Sequence, residues 1–142
     1  MSAKGLEVID HTVQLTHEWI NELNERLDWS SPHDALRLLR VTLTEFRNHI
    51  GHDEVAQFAA QLPLLIRGMY YEGWKPSQTP LKDRSVDHFV AKIEEKVGGV
   101  LDYRGPEDIS TVFKMINARI SRGEVADVRS GLPGDIRALW PE

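Results

Sequence analysis

The chain has 142 residues, a formal net charge of −5 and no cysteine. At this length one core suffices, disulfides and thiolate chemistry are excluded, and the acidic balance argues against a general phosphate-backbone binder, which must present a dominant basic surface. No apolar run approaches the ~20 residues that span a bilayer, and the first residues lack the charged-then-apolar order of a secretory signal; the expectation is a single cytoplasmic domain over 1–142 with no membrane or nucleic-acid partner.

Residues 1–7 are small and polar and read as a frayed end. From Val8 a helical period appears, with Thr16, Trp19, Ile20, Leu23 and Leu27 on one face and Glu18, Glu22 and Glu25 on the other. Ser30–Ser31–Pro32–His33–Asp34 is a start signal for a second helix: a hydroxyl to accept an orphan amide, proline in the first turn and an acid three residues after Ser31. Leu36, Leu39, Leu43, Phe46 and Ile50 give that helix an apolar face, and Gly51 is expected to end it. Asp53 is expected to cap a third helix bearing Val55, Phe58, Ala59 and Leu62. Pro63 cannot donate to a preceding carbonyl, so Leu62–Pro63 reads as a corner before a fourth helix running to Tyr71.

Residues 73–80, rich in breakers and small polar residues, form a linker. Ser85 then caps a helix through Val97, stopped by Gly98–Gly99. Asp102–Tyr103–Arg104–Gly105–Pro106–Glu107–Asp108 opens another, with Ile109, Val112, Phe113, Ile116 and Ile120 at helical spacing, and Gly131–Leu132–Pro133 repeats the earlier corner.

An echo runs through this order. At an offset of 70, eight of twenty-two pairs between Gly51–Glu72 and Ser121–Glu142 are identical, among them Glu54/Glu124, Pro63/Pro133, Arg67/Arg137 and Glu72/Glu142. Unrelated stretches would share about one or two. The same offset pairs Trp19 with Phe89 and Leu23 with Ile93. The expected fold is therefore an all-α helical bundle of two tandem, pseudo-two-fold-related repeats. Each repeat has three main helices, the last broken at Pro63 or Pro133, with one half about 8–75 and the other about 82–142.

Six histidines raise the question of metal, but no Glu-x-x-His ligand pair occurs, and Glu45/His49 is one residue too long. His49, His52 and Asp53 are weak candidates at a helix–helix turn, more often a site of capping. Arg37, Arg40 and Arg47 form a basic stripe that reads first as pairing with the acidic face of the first helix. No Gly-x-Ser-x-Gly, phosphate-cradling glycine loop or His-Glu-x-x-His is present, so no catalytic residue is nominated. Tyr70, Tyr71, Glu72 and Trp74 are candidates for binding a partner segment or apolar ligand, against the alternative that they strap the linker across the seam between repeats. Arg67 and Arg137, four positions after a helix-opening proline, are expected to be structural, holding an orphan carbonyl or the duplicated Glu54 and Glu124.

With Leu62–Pro63, Arg67–Gly68–Met69–Tyr70–Tyr71–Glu72–Gly73–Trp74 and the weaker Leu132–Pro133–Gly134–Asp135–Ile136–Arg137, the chain resembles the bacterial family known as domain of unknown function 2267, over roughly Thr12 to Trp140. The resemblance implies a small, soluble, all-helical protein and carries no catalytic residue, cofactor or metal with it. The functional expectation is a non-catalytic protein-interaction or regulatory module, with a protein partner or homo-oligomer. A small-ligand or metal-binding bundle is the alternative, and an enzyme ranks last.

Overall fold

A computed structural model describes residues 5–142. Of the expected frayed end, residues 1–4 lie outside the described residues, and Glu7 already opens the first helix. The described residues form α1 (Glu7–Leu27), α2 (Pro32–Arg47), α3 (His52–Ala59), α4 (Leu64–Tyr71), α5 (Val86–Val97), α6 (Pro106–Arg119), α7 (Arg122–Ser130) and α8 (Gly134–Arg137), with a short 3-10 turn at Pro76–Gln78. They contain no β-strand, and the fold is all-α. None of these helices is long and apolar enough to cross a membrane.

The caps follow from the sequence where a hydroxyl precedes a helix. Ser31 Oγ accepts from the Asp34 amide at 3.3 Å, Ser85 Oγ from His88 at 3.2 Å and Ser121 Oγ from Glu124 at 3.2 Å, each satisfying a donor that the first helical turn leaves open. Several boundaries differ from expectation: α3 ends at Ala59, before Leu62, and α6 at Arg119, before Ile120. α2 stops at Arg47, and Asn48–Ile50 form a turn, so Gly51 is the residue before α3 rather than the end of α2. Asp53 consequently lies inside the first turn of α3, where a carboxylate favours the positive end of the helix without capping it.

α2 is the central element, packing against α1, α4, α5 and α6. It buries more than one apolar stripe: Ala35, Leu38, Leu39, Leu43 and Phe46 are enclosed together with Thr42, Glu45 and Arg47, whereas Leu36 is only half-buried. A helix with neighbours on most sides needs apolar or internally paired residues nearly all round. α1 lies against α2, α4 and α6, α3 against α7, and α5 against α8.

The centre of the core is aromatic. Phe46 meets Phe58 edge-on at 4.9 Å, Trp140 edge-on at 5.5 Å, Tyr70 at 6.0 Å and Phe113 at 6.1 Å. Trp140 in turn stacks on Phe113 at 4.4 Å. Both polar aromatics satisfy their donors at the edge of this cluster, Tyr70 Oη to the Val55 carbonyl at 3.1 Å and Trp140 Nε1 to Asn117 Oδ1 at 2.7 Å.

Arg67 and Arg137 hold the two Leu-Pro corners by the same contacts. Arg67 donates from Nε to the Ala59 carbonyl at 2.9 Å and from Nη2 to Leu62 at 3.1 Å. Arg137 donates from Nε to Arg129 at 2.8 Å and from Nη2 to Leu132 at 2.9 Å, with a longer contact to Ser130. These carbonyls end α3 and α7, where proline prevents the chain from continuing the ladder. Pro63 and Pro133 share their backbone geometry, φ −54° with ψ 146° and 144°. Arg67→Ala and Arg137→Ala should each lower unfolding free energy by about 1–3 kcal/mol, the scale of hydrogen bonds from a charged donor. Urea denaturation of the two variants measures this; no change in either midpoint would remove the arginines from the fold's support.

Candidate interaction cleft

Arg67 and Arg137 turn to carbonyls rather than to Glu54 and Glu124, and this leaves the two duplicated glutamates without them. One oxygen of each, Oε2, is buried with no hydrogen-bond partner. They interact with each other across the packed helices α3 and α7, and both act on Tyr70. Burial, then the charges of Glu54 and Asp127, raise the Glu124 carboxyl above its ordinary range. A carboxyl that holds its proton more tightly in the folded chain stabilises the fold below the ordinary carboxylate range, and this stabilisation is lost as pH rises through the raised value. Glu124→Gln should therefore raise the urea midpoint at about pH 7 and leave it nearly unchanged at about pH 4. An equal effect at both pH values would exclude the charge as its cause.

The sequence candidates are dispersed. His49 is buried, its ring edge-on to Phe89 at 5.4 Å. Burial is the main cause that lowers its pKa, favouring the neutral ring. His52 is exposed and binds the Thr79 carbonyl through Nε2 at 2.7 Å, and Asp53 is exposed. Among the described residues no three histidines or carboxylates are grouped to hold a metal ion, so His49, His52 and Asp53 do not converge.

The aromatic extension faces inward. Tyr70, named with the candidate binding residues, is 0% exposed, because its ring completes the Phe46 cluster and its hydroxyl reaches Val55. Tyr71 is half-buried between Tyr70 and Trp74, at 5.4 and 5.8 Å. Trp74 is half-buried, donates Nε1 to Thr79 Oγ1 at 3.1 Å and meets the His52 ring at 5.7 Å. Glu72 alone is exposed, paired with Arg40 at 2.7 Å.

That pair belongs to a depression of about 460 Å³ lined by Arg37, Arg40, Arg47 and Lys96. The basic stripe does not pair with α1 as expected. Arg37 donates to the Val97 carbonyl, Arg47 to the Tyr70 and Glu72 carbonyls at 2.8 and 3.0 Å, and Lys96 to buried Glu45. Its cations are consumed by the fold, with Arg47 packed as a buried anchor for the end of α4.

A larger cleft of about 630 Å³ lies between α6 and α7. Ala118, Val125, Ala126 and Pro141 give it an apolar floor, and Lys114, Arg122, Arg129 and Arg26 surround it. Asn117 fixes one wall, donating Nδ2 to the Pro141 carbonyl at 2.7 Å and accepting from Trp140. Arg129 donates Nε to the Trp140 carbonyl at 2.9 Å and reaches the Glu142 carboxylate at 3.4 Å, so the cleft already receives one acidic side chain at its edge. Arg26 is held by Glu22 at 2.7 Å. Burial pushes the Glu22 carboxyl up, but hydrogen bonds from Arg26 and Arg119 outweigh it and hold the group below the usual range. Lys114 and Arg122 are exposed, and neither forms a hydrogen bond or ion pair with another described residue.

None of these cleft residues was singled out from sequence. Their spacing was nevertheless visible: Arg122, Val125, Ala126 and Arg129 follow the i, i+3, i+4, i+7 rule that puts them on one face of α7, and Lys114, Asn117 and Ala118 share a face of α6. Pattern alone could not say that the two faces border one space.

Helices throughout the described residues, an aromatic core and a cation-surrounded cleft define a small all-α protein. The family described as uncharacterized conserved protein DUF2267 matches residues 16–139, and the chain belongs to it. No curated protein matches the chain.

Trp74→Ala removes a half-buried ring and one hydrogen bond, so it should cost about 1–3 kcal/mol, less than the 3–5 typical of a fully buried tryptophan. A cost near zero in denaturant titration would mean that Trp74 does not hold residues 73–80.

Proposed function

We propose that the chain is a non-catalytic interaction module of the cytoplasm, a single domain of two repeated halves, and that the α6/α7 cleft receives an acidic partner segment bearing apolar side chains. The repeat is supported by the matched arginine contacts at the two Leu-Pro corners and by the offset-70 identities. The observation that carries the binding reading is the cleft itself. It combines an apolar floor with two cations, Lys114 and Arg122, that have no partner among the described residues, on a chain of net charge −5. Desolvating the floor supplies affinity, while the surrounding charges select an acidic segment and speed its encounter. The arrangement offers no nucleophile–base pair, so binding rather than turnover is its natural use.

A fluorescently labelled peptide of alternating glutamate and leucine tests this. It should bind the protein more tightly than its lysine–leucine counterpart, and Lys114→Glu/Arg122→Glu should weaken it at least tenfold in fluorescence anisotropy. Equal binding of the two peptides, or no effect of the double substitution, would overturn the reading.

A further inference from the structure

The start of α1 carries the chemistry that the cleft lacks. Leu6, Ile9 and Val13, spaced by three and four, line one face of its first turns and are 48%, 52% and 40% exposed. Leu64 and Leu65 extend the patch at 55% and 42%, adjoining it because the Leu65 amide donates to Thr12 Oγ1 at 2.9 Å. Glu7 and Asp10 stand in the same turns, so this is an apolar surface with an acidic margin. Such a contiguous exposed patch is uncommon unless something covers it.

Arg26 places the cleft at the other end of the same helix. At 1.5 Å per residue, Glu7 and Asp10 lie about 24–29 Å from Arg26 along a rigid rod. The chain therefore cannot bring the start of its own α1 into its own cleft. We propose that a second copy of this chain fills the cleft with the start of its α1, so that copies associate head to tail. Glu7 of one copy meets Lys114 and Arg122 of the next, and Leu6 and Ile9 cover Val125 and Ala126. The contact is heterologous: each copy uses two different surfaces, so association runs to a ring or an open chain rather than stopping at a symmetric dimer. The start of α1 precedes residues 16–139, the span matched by the family. The inference rests on the cleft being a binding site.

Sedimentation velocity on the full chain tests it over a concentration series at low and high salt. Species larger than the monomer should grow with concentration at low salt, and association should weaken at least tenfold at high salt, because exposed charges are screened there. Two double variants then separate the surfaces: Glu7→Lys/Ile9→Ser at the start of α1, and Lys114→Glu/Arg122→Glu at the cleft. These side chains are exposed, and circular dichroism checks that both variants keep the fold. Each alone should be monomeric. Mixed, they should form a 1:1 dimer and nothing larger, since each brings one intact surface. A monomeric wild type overturns the inference, as does a mixture that stays monomeric. A cleft variant that still associates overturns it too, because the apolar patches would then be pairing with each other. If the glutamate–leucine peptide binds the cleft while the full chain stays monomeric, the cleft reading stands and head-to-tail association falls.

Discussion

Phe46 is the residue on which the arrangement depends. It projects from the central helix α2 into contact with rings from α3, α4, α6 and the segment after α8. Edge-on ring pairs at these separations add about 0.5–1.5 kcal/mol beyond the area they bury, and they constrain orientation as dispersion among aliphatic chains does not. Because the cluster draws on elements from both ends of the chain, α2 cannot shift without disturbing either. The buried arginine Arg47, one residue on, fixes the end of α4 to the same helix through the Tyr70 and Glu72 carbonyls.

The cations divide into two kinds by what surrounds them. Arg47, Arg67, Arg104 and Arg137 are spent on backbone carbonyls at helix ends, where they replace the partners that a terminated helix lacks. Arg40, Arg119 and Lys96 are taken up by glutamates on neighbouring elements. Among the described residues Lys114 and Arg122, like Lys75, Lys82, Arg84 and Lys92, form no ion pair, but Lys114 and Arg122 stand beside an apolar floor, which sets the α6/α7 cleft apart on an acidic protein. The polar depression against α2, with as many arginines, is internally neutralised and offers less to a ligand.

What the amino-acid order determined is local. Apolar spacing placed the helices, Ser31 and Ser85 started two of them, and Pro63 and Pro133 imposed corners, because each of these depends on atoms within four residues of one another. The roles of Arg67 and Arg137 were legible to the point of choosing between carbonyl and carboxylate. Tertiary packing decided the rest. Tyr70 could be named as an aromatic near a linker, but only the approach of α2 and α3 made it core; Arg40 found Glu72 rather than α1, since pairing depends on which surfaces meet. Glu54 and Glu124 were visible as duplicates, yet their mutual proximity came from the packing of α3 on α7. The cleft is the clearest case: its two faces were periodic in sequence, but a concavity is a relation between helices, set by the turn at Ile120–Ser121 and by the return of Trp140–Glu142, and no local pattern encodes it.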